Sequence, residues 1–178
     1  MAAKPTLFQD EEGEKLKFWD AVVGGRSVGT PGTVKLMYET HKAHGRLPWP
    51  SLVQPAIDLA ESGFAVSDRL HQSIANDTER LSVHPDTKAY FFDAEGKPHP
   101  VGYVLKNQAY AETLKKIAIG GANAFYVGPI ALAIVDKVRN AANPGVLSFT
   151  DLAHYKVVQR DPVSVSYTHL TLPTIYSV

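Results

Sequence analysis

Gly25-Arg26-Ser27-Val28-Gly29 fits the pattern G-x-S-x-G, in which a serine on a tight strand-to-helix turn holds out its hydroxyl as a nucleophile. The motif lies inside a denser stretch, Val22 to Thr33, that carries Gly24, Gly25, Gly29 and Gly32 together with Pro31. Glycine reaches positive φ at little steric cost and proline fixes its own φ, so this stretch demands a backbone path that ordinary residues cannot follow. As a nucleophile elbow it is incomplete. The helix of an elbow starts at the serine, whereas Gly29 and Pro31-Gly32 stand where its first turns belong. The residues therefore favour a glycine-shaped structural junction (Gly24, Gly25, Gly29, Pro31, Gly32), with a serine hydrolase built on Ser27 as the alternative. A second alternative is a helical binding module whose Gly24 to Gly32 loop takes an anionic ligand. Arg26 offers a fork that fits a substrate carboxylate, although an interior salt bridge is the commoner use.

His41 and His44 stand three apart in a helical pattern, a spacing compatible with a metal. No glutamate accompanies them as the H-E-x-x-H mechanism requires. Lys42 and Arg46 beside them give instead a basic helix C-terminus that complements the helix dipole. His71, His84, His99 and His154 each stand alone, and nothing in the pattern calls for a metal or a cofactor. Eighteen basic and eighteen acidic residues leave no net charge, which gives nucleic acid or an anionic membrane surface no electrostatic hold. Cysteine is absent from the 178 residues, and with it disulfides and thiolate chemistry. No apolar run approaches the roughly 18 residues that span a bilayer.

The elements that must carry these residues follow from periodicity and punctuation. The apolar run Phe18 to Val23 reads as extended, which makes the glycine stretch a strand-to-helix junction. Thr30 as N-cap and Pro31 at the first helical position then open an amphipathic helix with Val34, Met37, Tyr38 and His41 on one face, stopped at Gly45. A second helix runs from Pro50-Ser51 to Gly63 with Leu52, Val53, Ala56, Leu59 and Ala60 inward, and a third opens at Ser67 and ends at His84-Pro85. Asp10 to Lys15 is an exposed turn. Ala89 to Phe92, the turn Asp93 to Gly96 and Val101 to Leu105 suggest a small hairpin. Asn107 caps a fourth helix that stops at Gly120-Gly121, and Pro129 starts a fifth that Asn143-Pro144-Gly145 breaks. Thr150 to Ala153 is a capped turn, and Tyr155 to Arg160 alternates as a strand does.

Four blocks in this order, GGRSVGTPGTV, LVQPAIDLAESGFAVSDRL, LKNQAYAETLKKIAIGGANAFYVGPIALAIV and LSFTDLAHYKVVQRDPV, resemble the γ-glutamyltransferases (γ-glutamyltranspeptidases, glutathione hydrolases) from about the first residues to Val163. The resemblance implies an α+β fold, the αββα sandwich of the N-terminal nucleophile (Ntn) hydrolases. Residues 1–163 would form a mostly helical part of its large subunit, with a few short strands. It implies cleavage of γ-glutamyl compounds such as glutathione through an ester on a threonine, with transfer to an amino acid or water. The threonine becomes the N-terminus of the small subunit on self-cleavage and its own amine acts as base. It also implies a periplasmic or extracellular place, and association with the remainder of the large subunit and with the small subunit.

The apparatus of that chemistry lies elsewhere. The T-T-H-x-S cleavage motif does not occur in this chain, and the R-E-x-A-P arginine of the family belongs just upstream of Met1, so Arg26 does not inherit its role. The chain by itself is expected to be inactive, with no catalytic residue in it. After Val163 the resemblance ceases: Val165 to Thr174 is what the codons GTC TCT TAT ACA CAT CTG ACG CTG CCG ACG encode, similar to a transposase-library adapter. Residues 164–178 are expected to be a non-native tail.

Overall fold

In the computed structural model, which describes residues 3–163, helices make up the body and strands are confined to one short pair. A 3-10 turn at Pro5–Phe8 leads to a tight turn whose bridge joins Gln9 to Lys15. Helices α1 (Phe18–Val22), α2 (Thr33–His44) and α3 (Trp49–Ser62) follow, then β1 (Phe64–Ala65), α4 (Asp68–Asn76), α5 (Thr78–Leu81) and α6 (Pro85–Phe91). Strand β2 (Val104–Leu105), α7 (Gln108–Tyr126), α8 (Pro129–Arg139) and α9 (Phe149–Ala153) complete the order. β1 and β2 pair antiparallel, Phe64 opposite Leu105 and Ala65 opposite Val104.

Caps placed from the sequence hold where the side chain acts on its own helix. Ser67 accepts from the Leu70 amide (3.2 Å) and Asn107 from the Tyr110 amide (2.9 Å), each satisfying a donor that the first helical turn leaves open. Pro129 opens α8, and Gly63 follows the last residue of α3. At α9 the cap is Ser148, which trades bonds with Asp151 in a capping box.

Three expectations are corrected. Phe18 to Val22 is helical: among the described residues no strand lies beside it, and a helix satisfies its own backbone where a lone strand cannot. Its Trp19 ring lies 3.8 Å beneath the Arg80 guanidinium, which fastens α1 to α5. Ala89 to Phe91 belongs to α6, started by Pro85 at its first position, so the hairpin shrinks to a single bridge between Phe92 and Pro98. The stop expected at Gly120-Gly121 is present: Gly121 (φ 60°, ψ -155°) is not helical, and beyond this kink a second helical piece of α7 runs on to Tyr126, with Ala122 and Tyr126 in the core. Tyr155 to Arg160 forms no ladder with any described residue.

The core lies where α7, α8 and α9 meet: Ala122, Tyr126, Ala131, Val138, Leu147 and Leu152, with Val34, Tyr38 and Phe125 packed on it. Gly121 has a packing reason as well as a conformational one, since a Cβ there would come within 2.5–2.7 Å of the Tyr38 ring. Trp49, from the start of α3, reaches across to donate to the Ile117 carbonyl of α7 (3.0 Å) and sets its ring edge-on to Tyr38 at 5.2 Å.

Candidate functional site: the glycine loop and its clamps

Residues 23–32 connect α1 to α2, and two clamps from distant sequence hold them. The first is Asn143. Its carbonyl accepts from the Arg26 amide (2.9 Å), its Oδ1 from Arg26 Nε (2.7 Å), and its Nδ2 donates to the carbonyls of Asp20 (2.6 Å) and Val23 (3.1 Å). Gly24, at φ 112°, passes directly beneath it, where a side chain would lie 2.9 Å from Asn143 Cβ. Gly25 is buried against backbone: a Cβ would overlap the Val138 carbonyl and stand 2.9 Å from the Gly145 nitrogen.

The second clamp is Tyr126. Its hydroxyl donates to the Pro31 carbonyl (2.6 Å) and accepts from the Lys35 amide (3.1 Å). Lys35 is the third residue of α2, so a phenol from α7 fills the role of an N-cap side chain. That explains why α2 starts at Thr33 behind Gly32, which has no side chain to cap with, rather than behind Thr30 as expected. Gly32 makes room for Tyr155, whose hydroxyl a Cβ would strike, and Tyr155 stacks on Tyr126 at 5.9 Å. Gly29 differs from the others, having no atom within 4 Å of a would-be Cβ and no positive φ.

Burial pushes the Tyr126 hydroxyl above the usual phenol range; the Lys35 amide opposes the rise and Tyr155 adds to it. Because the folded value is raised, this contribution to stability is complete below the ordinary tyrosine pKa and is lost as pH climbs through the folded value. In an ultraviolet titration Tyr126 gives a late ionisation step, and Tyr126→Phe removes it. A titration curve that Tyr126→Phe leaves unchanged at its alkaline end would contradict this placement.

Ser27 is exposed and its Oγ donates to the Val22 carbonyl (2.7 Å), so its proton is committed to backbone and not to a base. Arg26 departs from the expected salt bridge. Its guanidinium bonds the Asn143 amide oxygen and the Leu7 carbonyl (3.1 Å). The histidines are scattered: His41 Nε2 lies 2.7 Å from the Leu47 carbonyl, His71 Nδ1 2.9 Å from the His99 carbonyl, and His154 Nδ1 3.1 Å from the Thr150 carbonyl. His44 lies exposed on the last turn of α2, and His84 precedes α6 without a side-chain bond to it. Among the described residues no three His, Asp or Glu side chains converge as a metal site would require.

Two concavities flank these elements. A polar hollow of about 520 Å³ runs from Gly24 and Gly25 to His84, Asp86 and Lys137, the last two paired at 2.6 Å. A larger, apolar groove of about 820 Å³ lies between α2, α3 and α7. Sequence reasoning named the apolar faces of those three helices without joining them. The signal it left unused was Leu36, which widens the stripe of α2 beyond Val34, Met37, Tyr38 and His41.

A helical body with a single pair of two-residue strands, built around this loop, is the mostly α-helical part of an α+β Ntn-hydrolase fold. The gamma-glutamyltranspeptidase family model matches residues 1–177, and the chain belongs to that family. It is 36% identical over 151 residues to a glutathione hydrolase proenzyme of Arthroderma benhamiae, covering 84% of this chain and 26% of that protein. It is 38% identical over 146 residues to the acylase ACY 1 proenzyme of a Pseudomonas species, covering 82% of this chain and 26% of that protein. The crystal structure of Helicobacter pylori gamma-glutamyltranspeptidase superimposes with a TM-score of 0.87 at 32% identity, over 94% of this chain and 47% of that one. The chain thus spans about a quarter of the curated relatives it matches. Among the described residues no single helix is long and apolar enough to cross a membrane.

Proposed function

We propose that this chain is an internal part of the large subunit of a γ-glutamyltransferase. The whole protein hydrolyses glutathione and related γ-glutamyl compounds, or transfers their γ-glutamyl group to an amino acid. The observation that carries this reading is the family match along nearly the full chain combined with the Helicobacter pylori superposition. The reaction runs through a threonine ester whose nucleophile lies on sequence outside this chain, and the protein works in the periplasm or outside the cell. Residues 1–163 are the family segment. Residues 164–178, which lie outside the described residues, are a non-native tail even though the family model extends to residue 177. The glycine loop is a shaping element: Gly24, Gly25 and Gly32 let Asn143, the last turn of α8 and Tyr155 approach closely, which supports a structural and not a chemical use.

The test is release of the anilide from a γ-glutamyl anilide. The full-length gene product turns it over, whereas the 178-residue chain and its Ser27→Ala variant both release none. Turnover by the 178-residue chain that Ser27→Ala abolishes would overturn the reading in favour of a serine hydrolase.

A further inference from the structure

Residues 67–103 leave the helical body and rejoin it at one place. There the Val66 amide donates to the Tyr103 carbonyl (2.8 Å) and the Gly102 amide to the Val66 carbonyl (2.8 Å), beside the β1/β2 ladder. Gly102 sits at φ 87° with open space around it. Within the segment the ties are internal: His71 Nδ1 lies 2.9 Å from the His99 carbonyl, Phe92 bridges Pro98, and Asp77 accepts from Arg80. Away from this root, two contacts join it to the body among the hydrogen bonds, ion pairs and ring contacts of the described residues. Lys137 of α8 donates to Asp86 of α6 at 2.6 Å, and the Arg80 guanidinium of α5 lies over the Trp19 ring of α1. The polar hollow runs between the two parts, with His84, Asp86 and Thr87 contributed by the segment and Gly24, Gly25 and Lys137 by the body.

We propose that residues 67–103 are an arm hinged at the β1/β2 ladder and held against the glycine loop by two electrostatic straps, so that ionic strength sets how wide the hollow stands open. Each strap depends on a cation near the surface. Asp86 and Lys137 are 77% and 68% exposed, so dissolved ions screen their attraction. Trp19 is half exposed, and its hold on Arg80 is electrostatic too. Asp136, the other acid lining the hollow, accepts from Asn140 (2.7 Å) rather than from Lys137. The root is held by backbone bonds, which salt screens far less than an exposed ion pair. Raising salt therefore loosens the straps first, and the arm turns as a unit about Val66 and Gly102, uncovering the Gly24 and Gly25 wall.

The 178-residue chain has no cysteine, so two can be introduced to carry spin labels: Lys88→Cys on α6 and Ala133→Cys on α8, both exposed and outside the straps. Pulsed dipolar spectroscopy is expected to give one distance at about 0.01 M salt, where charges act over ~30 Å, and a second, longer one at about 1 M, where they act over ~3 Å. Lys137→Gln raises the share of the longer distance several-fold at low salt, and Arg80→Gln added to it raises the share further. Exchanging the charges with Asp86→Lys and Lys137→Asp restores the short distance. A control pair within the body, Lys116→Cys on α7 with Ala133→Cys, keeps its distance throughout, as does the helical circular dichroism. One unchanged distance under all these conditions overturns the proposal. So does lengthening in the control pair, or loss of helix in step with salt, either of which makes the change an unfolding and not a hinge. Equal populations in Lys137→Gln and in the charge exchange also overturn it, by removing the ion pair from the strap. Distance and not turnover is measured, so the result stands apart from the family reading.

Discussion

Gly25→Ala lowers the stability of the chain by about 3 kcal/mol, at the upper end of what overpacking a well-fitted interior costs. The added methyl would overlap the Val138 carbonyl and stand 2.9 Å from the Gly145 nitrogen, and both belong to backbone rather than to side chains that can rotate away. That backbone is itself tied. Gly145 N donates to the Val138 carbonyl (3.0 Å), and Arg139 Nε donates to the Leu147 carbonyl (2.8 Å), so the end of α8 cannot retreat without breaking bonds. Gly29→Ala is the matched control. With open space around it and no positive φ, it is neutral or stabilises by about 0.5 kcal/mol, by reducing the freedom of the unfolded chain. Urea unfolding of the two variants, with m held constant, measures the difference. Equal midpoints would refute the close approach of the loop to α8.

Tyr126→Ala costs about 4 kcal/mol, the usual range for truncating a buried aromatic. Tyr126 is 2% exposed, belongs to the core cluster with Ala122, Ala131 and Leu152, and stacks on Tyr155. Tyr126→Phe separates the hydroxyl from the ring. It keeps the packing, strands the Pro31 carbonyl and the Lys35 amide, and costs about 2 kcal/mol. The phenol holds both the end of the glycine loop and the start of α2. Its loss therefore frays that helix start in amide hydrogen exchange, while protection in α8 persists. A Phe variant as stable as the parent chain, with Lys35 still protected, would remove Tyr126 from its capping role.

What was legible in the sequence was local. Ser67, Asn107 and Pro129 act on the next few residues, and each does in the structure what its type implies. Elements decided by distant partners were not legible. Phe18 to Val22 has a strand's composition but no neighbour to pair with, and Tyr155 to Arg160 has a strand's alternation with the same lack among the described residues. Gly120-Gly121 reads as a stop and Gly121 does break the helical path; the second helical piece that follows it to Tyr126, held by core burial, was not legible. At the site, the glycine density announced an unusual backbone path. The residues that impose the path, Asn143 and Tyr126, carry no mark of that role in sequence. The four blocks of family resemblance placed the chain in its family where no single motif did, the G-x-S-x-G match included.

Arg26 meets Asn143 across 117 positions, and Tyr126 meets Pro31 across 95. Closing loops of that length costs chain entropy that no early local contact repays. The glycine stretch therefore has no conformation of its own to offer a nascent chain. It takes shape only after α7 and α8 have been made and brought alongside, so during synthesis this organising loop waits, unformed, for the last third of the segment to arrive.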